Sequence, residues 1–251
     1  MKAYLLVPRK EDDISGYETY CPKEKFIIKS LLYVVLLKKS FMNKHLYIFL
    51  VFLCPLFVNT LKSQDLNSIP PIPPKVGDCL ADGVVFYIFQ PGDAGYIAGE
   101  THGLVVSLDQ CIERLGCYGT DLPTVPNVTS GPTDPETAVG ARIGDGKTNT
   151  DGMVQDCPEG KAAIWCRNKG PEWFLPSRDE LNELYKWYAK DKRGNRKLME
   201  NCGGIRIKED WHWSSSELRP RESWGQFFTS GGQVYGVNTK TGGVIRAVRA
   251  F

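Results

Sequence analysis

The chain has 251 residues, of which 42% are hydrophobic and 24% charged, with a formal net charge of +2. These values are ordinary for a globular protein and exclude a disordered, collagenous or coiled-coil chain. The charge is uneven: residues 1–64 carry 10 Lys/Arg against 5 Asp/Glu, and residues 65–251 carry 21 against 24, so the two parts are read separately.

Residues 42–45 (MNKH) are basic, residues 46–58 (LYIFLVFLCPLFV) contain no charge, and residues 59–64 are polar. That order is the signature of a secretory signal. An apolar run of this length falls short of the roughly 20 residues a membrane helix needs, and Pro55 interrupts it. The reading predicts a start at Met42 and cleavage near Ser63 and Gln64, leaving residues 1–41 as an over-extended start. The alternative is membrane anchoring by residues 26–58. A lipoprotein at Cys54 is opposed by the bulky Leu53 before it. The Pro-rich residues 65–75 (containing SIPPIPPK) predict an extended linker, and residues 76–251 one domain.

Within that domain, residues 83–90 (GVVFYIFQ) predict a strand ended by the turn chemistry of Pro91-Gly92-Asp93. Residues 103–107 (GLVVS) predict a second strand. Residues 119–150, rich in Gly, Pro, Thr and Asn, predict a long loop. Residues 158–168 predict a helix with Ala162, Trp165 and Cys166 on one face. A second helix is signalled by Ser177-Arg-Asp-Glu180, a capping box, followed by Leu181, Leu184, Tyr185 and Tyr188 at helical spacing. It is expected to end before Arg193-Gly194. Strands are expected at 211–214, 223–229, 233–238 and 244–251, with Gly231-Gly232 and Thr241-Gly242-Gly243 as hairpin connections. The fold class is α+β, with two helices and a mostly antiparallel set of short strands joined by long loops.

Export makes the cysteines candidates for disulfides. Six follow the leader: Cys79, Cys111, Cys117, Cys157, Cys166 and Cys202. They allow about fifteen pairings, and spacing selects none. Buried thiols are the alternative for some of them. No spacing suits structural zinc.

Five stretches carry a resemblance. They are Val76-Gly-Asp with residues 83–88; His102-Gly-Leu-Val; Ile143-Gly-Asp-Gly-Lys-Thr-Asn-Thr; Trp173-Phe-Leu-Pro-Ser-Arg-Asp-Glu-Leu; and Trp213-Ser-Ser-Ser-Glu with the ending Val244-Ile-Arg-Ala-Val-Arg-Ala-Phe. In order and spacing they resemble the Lcl C-terminal-like family, a domain of unknown function in exported bacterial proteins. The resemblance implies a C-type-lectin-like plan, distantly similar to formylglycine-generating-enzyme-like domains. It also implies that the terminal strand lies beside the first, so that residues 84–89 pair near residues 244–251. The segments 122–136 and 206–210 depart from the pattern in proline content and charge.

The candidate ligand-binding residues are Lys186, Lys190, Lys192, Arg193, Arg196, Lys197, Arg206 and Lys208, a positive stretch on a mildly acidic domain. Trp224 is added as an aromatic on the surface. Trp173, Trp211 and Trp213 are read as core. Ser214-Ser215-Ser216-Glu217 lacks a triad partner at a recognisable spacing and is read as a turn. Asp145, Asn149 and Asp151 can offer oxygens to calcium, although Thr150 occupies the position where an EF-hand needs Gly. No metal or other cofactor is assigned on that basis. Of Arg246 and Arg249, which lie on opposite faces of an alternating strand, one is expected to be buried and hydrogen-bonded.

The expected function is a secreted, cell-surface or periplasmic binding module, non-catalytic and adhesive. Its expected partners are a glycan or acidic polysaccharide, or surface proteins, and not nucleic acid. The glycosaminoglycan association of the family's namesake adhesin points the same way. The alternatives are a formylglycine-generating-type enzyme and a structural module of a surface assembly.

Overall fold

The computed structural model describes residues 72–117, 119–131, 138–237 and 242–251. The leader, the signal and most of the linker lie outside the described residues. The elements are β1 (Cys79–Leu80), β2 (Gly83–Ile88), β3 (Gly103–Ser107), β4 (Cys111–Glu113), α1 (Asp145–Asp156), α2 (Lys161–Arg167), α3 (Arg178–Lys190), α4 (Lys192–Asn201), β5 (Trp211–Arg219), β6 (Glu222–Phe227), β7 (Gln233–Val237), β8 (Gly243–Ile245) and β9 (Val248–Ala250). The fold is α+β.

One sheet has the order β1-β2-β3-β9 and is antiparallel throughout. Both of its faces are buried. Val84, Phe86, Leu104, Val106 and Val248 pack with Leu181, Leu184 and Tyr188 of α3 and Met199 of α4. Val85 and Val105 face the other way, toward Trp173, Leu175, Trp211, Trp213 and the alanines of α2. Two apolar faces explain why β2 is a nearly continuous apolar run rather than an alternation.

The second sheet has the order β4-β8-β5-β6-β7. It is antiparallel except where β5 meets β8 in parallel at His212 and Val244. Trp211 and Trp213 meet edge to face at 5.3 Å between ring centroids. They sit against glycine backbone: a Cβ on Gly243 would lie 2.6 Å from both rings.

The structure corrects several expectations. The ending 244–251 is two strands. β8 belongs to the second sheet and β9 to the first, and buried Arg246 and Ala247 carry the chain between them. Consequently β9 pairs with β3, and β3 separates it from β2. Phe174 and Val248 exchange backbone hydrogen bonds of 2.9 Å across the other edge of β9. The Trp173-to-Leu181 motif therefore closes that edge, which would otherwise present unpaired backbone groups.

The helices number four among the described residues, not two. α1 lies where a loop was expected, because its two internal glycines lower helix propensity. Those glycines are required by packing. A Cβ on Gly146 would meet Glu180 Oε2 at 2.1 Å, and one on Gly152 would meet Thr124 Oγ1 at 2.7 Å. α4 begins at the Arg193-Gly194 pair that reads as a stop: the Asp191 side chain accepts the Gly194 N–H at 2.9 Å and caps the helix. The capping box of α3 is present as expected, and Ser177 and Glu180 bond reciprocally.

The serine run is strand rather than turn. Ser214 Oγ donates to Trp224 O at 2.8 Å, and Ser216 Oγ donates to Gly140 O at 2.6 Å while accepting from Arg178 N at 2.9 Å. These bonds tie β5 to β6, to the loop before α1 and to the start of α3.

Two disulfides form among the described residues, Cys79–Cys202 and Cys117–Cys157, with Cα separations of 5.6 and 5.7 Å. Cys166 is a buried thiol, and Cys111 is buried as well. The first disulfide ties β1 to the end of α4, and the second ties the loop after β4 to the end of α1.

Candidate functional site

The positive segment runs from the last turn of α3 through α4 to the chain entering β5. α4 exists because Leu198 and Met199 face the core while Asp191 caps its start. Its other side carries the cations. The structure divides the eight candidates into two groups.

Four are paired. Glu209 accepts from Lys192 Nζ at 3.0 Å, from Arg196 Nη2 at 2.9 Å and from Tyr188 Oη at 3.0 Å. This carboxylate thus joins α3, α4 and the strand-entry segment, and the Lys192 hydrogen bond leads in holding its pKa below the usual carboxylate value. Lys186 pairs with Glu183 one turn earlier at 2.6 Å, and Lys208 with Asp210 at 3.0 Å.

Lys190, Arg193, Lys197 and Arg206 are exposed and make no ion pair among the described residues. Arg193 and Lys197 stand four residues apart on α4, so their side chains project from one side of the helix. Exposed, unpaired cations keep most of their charge available to a polyanion, whereas paired ones are locally neutralised.

Trp224 does not join this surface. It is 6% exposed, and its Nε1 donates to Val128 O at 2.8 Å, so it packs beneath the loop carrying Val128 and Ala141. Trp173, Trp211 and Trp213 are core residues. Asp145, Asn149 and Asp151 form no oxygen cage. Asp145 accepts from the backbone of Gly140 and Arg142, Asn149 donates to Gly140 O at 2.7 Å, and Asp151 pairs with Lys147 and Arg167. Among the described residues no group of three His, Cys, Asp or Glu side chains is placed to hold a metal ion. Burial pushes the Cys166 thiol well above its ordinary pKa.

Arg246 is the buried arginine. Its Nη1 donates to Gln110 Oε1 at 2.9 Å and its Nη2 to Ile205 O at 3.1 Å, while burial pulls its pKa down to about 9. Arg249 pairs with Asp82 at 2.7 Å.

Two residues acquire importance only in three dimensions. Glu209 reads in the sequence as a counter-charge beside Asp210, and its role depends on three separate elements meeting it. Glu217 is 1% exposed, and neither carboxylate oxygen has a hydrogen-bond partner among the described residues. Burial, then the charges of Asp121 and Asp156, raises its pKa to about 7. It reads in the sequence as part of a turn after the serines, and no local signal shows that it is buried.

No helix among the described residues is long and apolar enough to cross a membrane. No family model matches the chain. No curated protein matches it. Among solved structures, the chain is similar to a fimbrial protein from Bacteroides ovatus, with a TM-score of 0.48 and 16% sequence identity. That similarity covers 70% of this chain and 45% of the fimbrial chain, so this chain matches less than half of that protein's length.

Proposed function

We propose that the protein is an exported, non-catalytic binding module that holds acidic glycans at the cell surface through the outer side of α4. The observation that carries this reading is the set Lys190, Arg193, Lys197 and Arg206, exposed and without an ion pair among the described residues, on a chain that is acidic after residue 64. Two disulfides suit an oxidising compartment, and the signal-like residues 42–64 supply the route. The five motifs support membership of the Lcl C-terminal-like family, with its C-type-lectin-like plan.

The test is salt-gradient elution of the protein from immobilised heparin and polygalacturonate. Arg193→Ala/Lys197→Ala should elute at clearly lower salt than the unaltered protein. A matched change at Lys147, which pairs with Asp151, should leave elution unchanged. Identical elution of all three proteins refutes the reading.

A further inference from the structure

We propose a second ligand site, independent of the α4 surface: the pocket beside α2 takes one neutral pyranose residue, packed against Trp165. The pocket measures about 300 Å³ and opens to solvent. That is the lower end of the range of small-ligand sites, about 300–1,000 Å³, and suits a single sugar ring rather than a larger cofactor.

Its lining is amphipathic in the way a pyranose requires. Trp165, Ile164 and Pro158 are the apolar part. The indole is half-buried and packs on the core beneath it. It is also clamped: Lys169 Nζ lies 4.2 Å from the ring centroid and is itself held by both carboxylate oxygens of Asp109. A ring fixed before binding loses little rotamer freedom when a ligand arrives.

The polar part is Glu113, Glu159, Lys161 and Asn168. Glu113 is oriented by the Arg114 N–H at 2.9 Å and by Lys161 Nζ at 3.5 Å. The side chains of Glu159 and Asn168 make no hydrogen bond among the described residues. Hydroxyl groups both donate and accept, so they match a rim holding carboxylates, an amide and an ammonium. Two carboxylates against one ammonium leave the rim negative, which disfavours the acidic glycans assigned to α4 and selects an uncharged sugar.

The test uses the full chain in high salt, where binding to the α4 cations is screened. Saturation-transfer NMR is recorded with cellotetraose, chitotetraose, maltotetraose and α-mannotriose as probes. At least one probe should show transfer, and its affinity should fall on the order of tenfold or more in Trp165→Ala. Because Trp165 also packs on the core, Glu159→Gln/Asn168→Ala provides a pair of exposed changes that leave packing intact, and it should weaken the same probe. Arg193→Ala/Lys197→Ala should leave it unchanged. The proposal is overturned if no neutral probe shows transfer, if transfer is insensitive to both sets of pocket changes, or if it is lost in the α4 variant. Binding of a lysine-rich peptide in place of every sugar also overturns it. A failed heparin result bears only on the α4 reading.

Discussion

Glu180 Oε1 accepts the backbone N–H of Gly144 at 2.8 Å, across 36 residues of sequence. Its Oε2 accepts the N–H of Ser177 at 2.8 Å. One fully buried carboxylate therefore serves the N-terminal ends of both α1 and α3. Each helix start has backbone donors that need partners. Gly146 lies so close to Glu180 that a side chain there would displace the carboxylate.

Glu180→Ala should accordingly cost about 2–4 kcal/mol, since it strands two buried N–H groups. Gly146→Ala should cost a comparable amount by forcing α1 away from α3. Urea unfolding measures both. The two changes disturb the same contact, so the double variant should lose less than the sum of the single losses.

Cys79–Cys202 spans 123 residues and Cys117–Cys157 spans 40. Replacing either pair with serine should destabilise the protein by about 2–5 kcal/mol, and the longer loop should cost more in the chain-entropy account. Peptide mapping should recover both linked pairs. Cys166 should be alkylated only after unfolding, as expected of a buried thiol.

Arg246 is 1% exposed and bonded to Gln110 and Ile205. Arg246→Met removes the charge together with both of its bonds. The loss of Gln110 and Ile205 partners should make it destabilising by about 1–3 kcal/mol. Arg246→Lys should not restore stability, because an ammonium cannot reproduce the planar fork that reaches both acceptors. Thermal unfolding of the two variants separates charge from geometry.

Glu217 gives a pH dependence with a defined sign. Its pKa rises from 4.5 to about 7 on folding. Between those values the folded chain keeps a proton that the unfolded chain has released, so stability falls as pH rises through this window and levels off above it. Glu180, raised by burial to about 7, acts in the same direction. His212 acts oppositely: burial lowers its pKa from 6.5 to about 3, so its contribution is lost as pH falls below 6.5. Glu217→Gln should flatten the decline between pH 5 and pH 8 by about 2–3 kcal/mol. Denaturant midpoints at pH 5 and pH 8 check this.

Glu209 neutralises Lys192 and Arg196. Glu209→Ala should release both cations and shift heparin elution to higher salt, opposite in direction to Arg193→Ala/Lys197→Ala. An unchanged elution would show that the α4 side does not meet the polyanion.

Much of this was visible in local sequence. The Ser177–Glu180 box, the apolar stripe of α3 and the strand character of residues 83–88 all rest on interactions within a few residues. The basic segment was legible as charge. Which of its members are available was not, because Glu209 selects Lys192 and Arg196 through contacts from different elements. Trp224 read as a surface aromatic because strand alternation does not reveal that a distant loop covers it.

The α+β class, the capped helix, the apolar strands and the charge asymmetry follow from the sequence by itself, since propensity, capping and hydrophobic period act over one or two turns of chain. Tertiary structure decided the rest. It made a helix of the glycine-containing 145–156 segment, because α1 packs against Glu180 and Thr124 with no room for side chains there. It split the last eight residues between two sheets, joined Cys79 to Cys202 and Cys117 to Cys157, and buried Glu217 with no hydrogen-bond partner among the described residues. Each of these outcomes depends on atoms brought together from far apart in the chain, which no local pattern encodes.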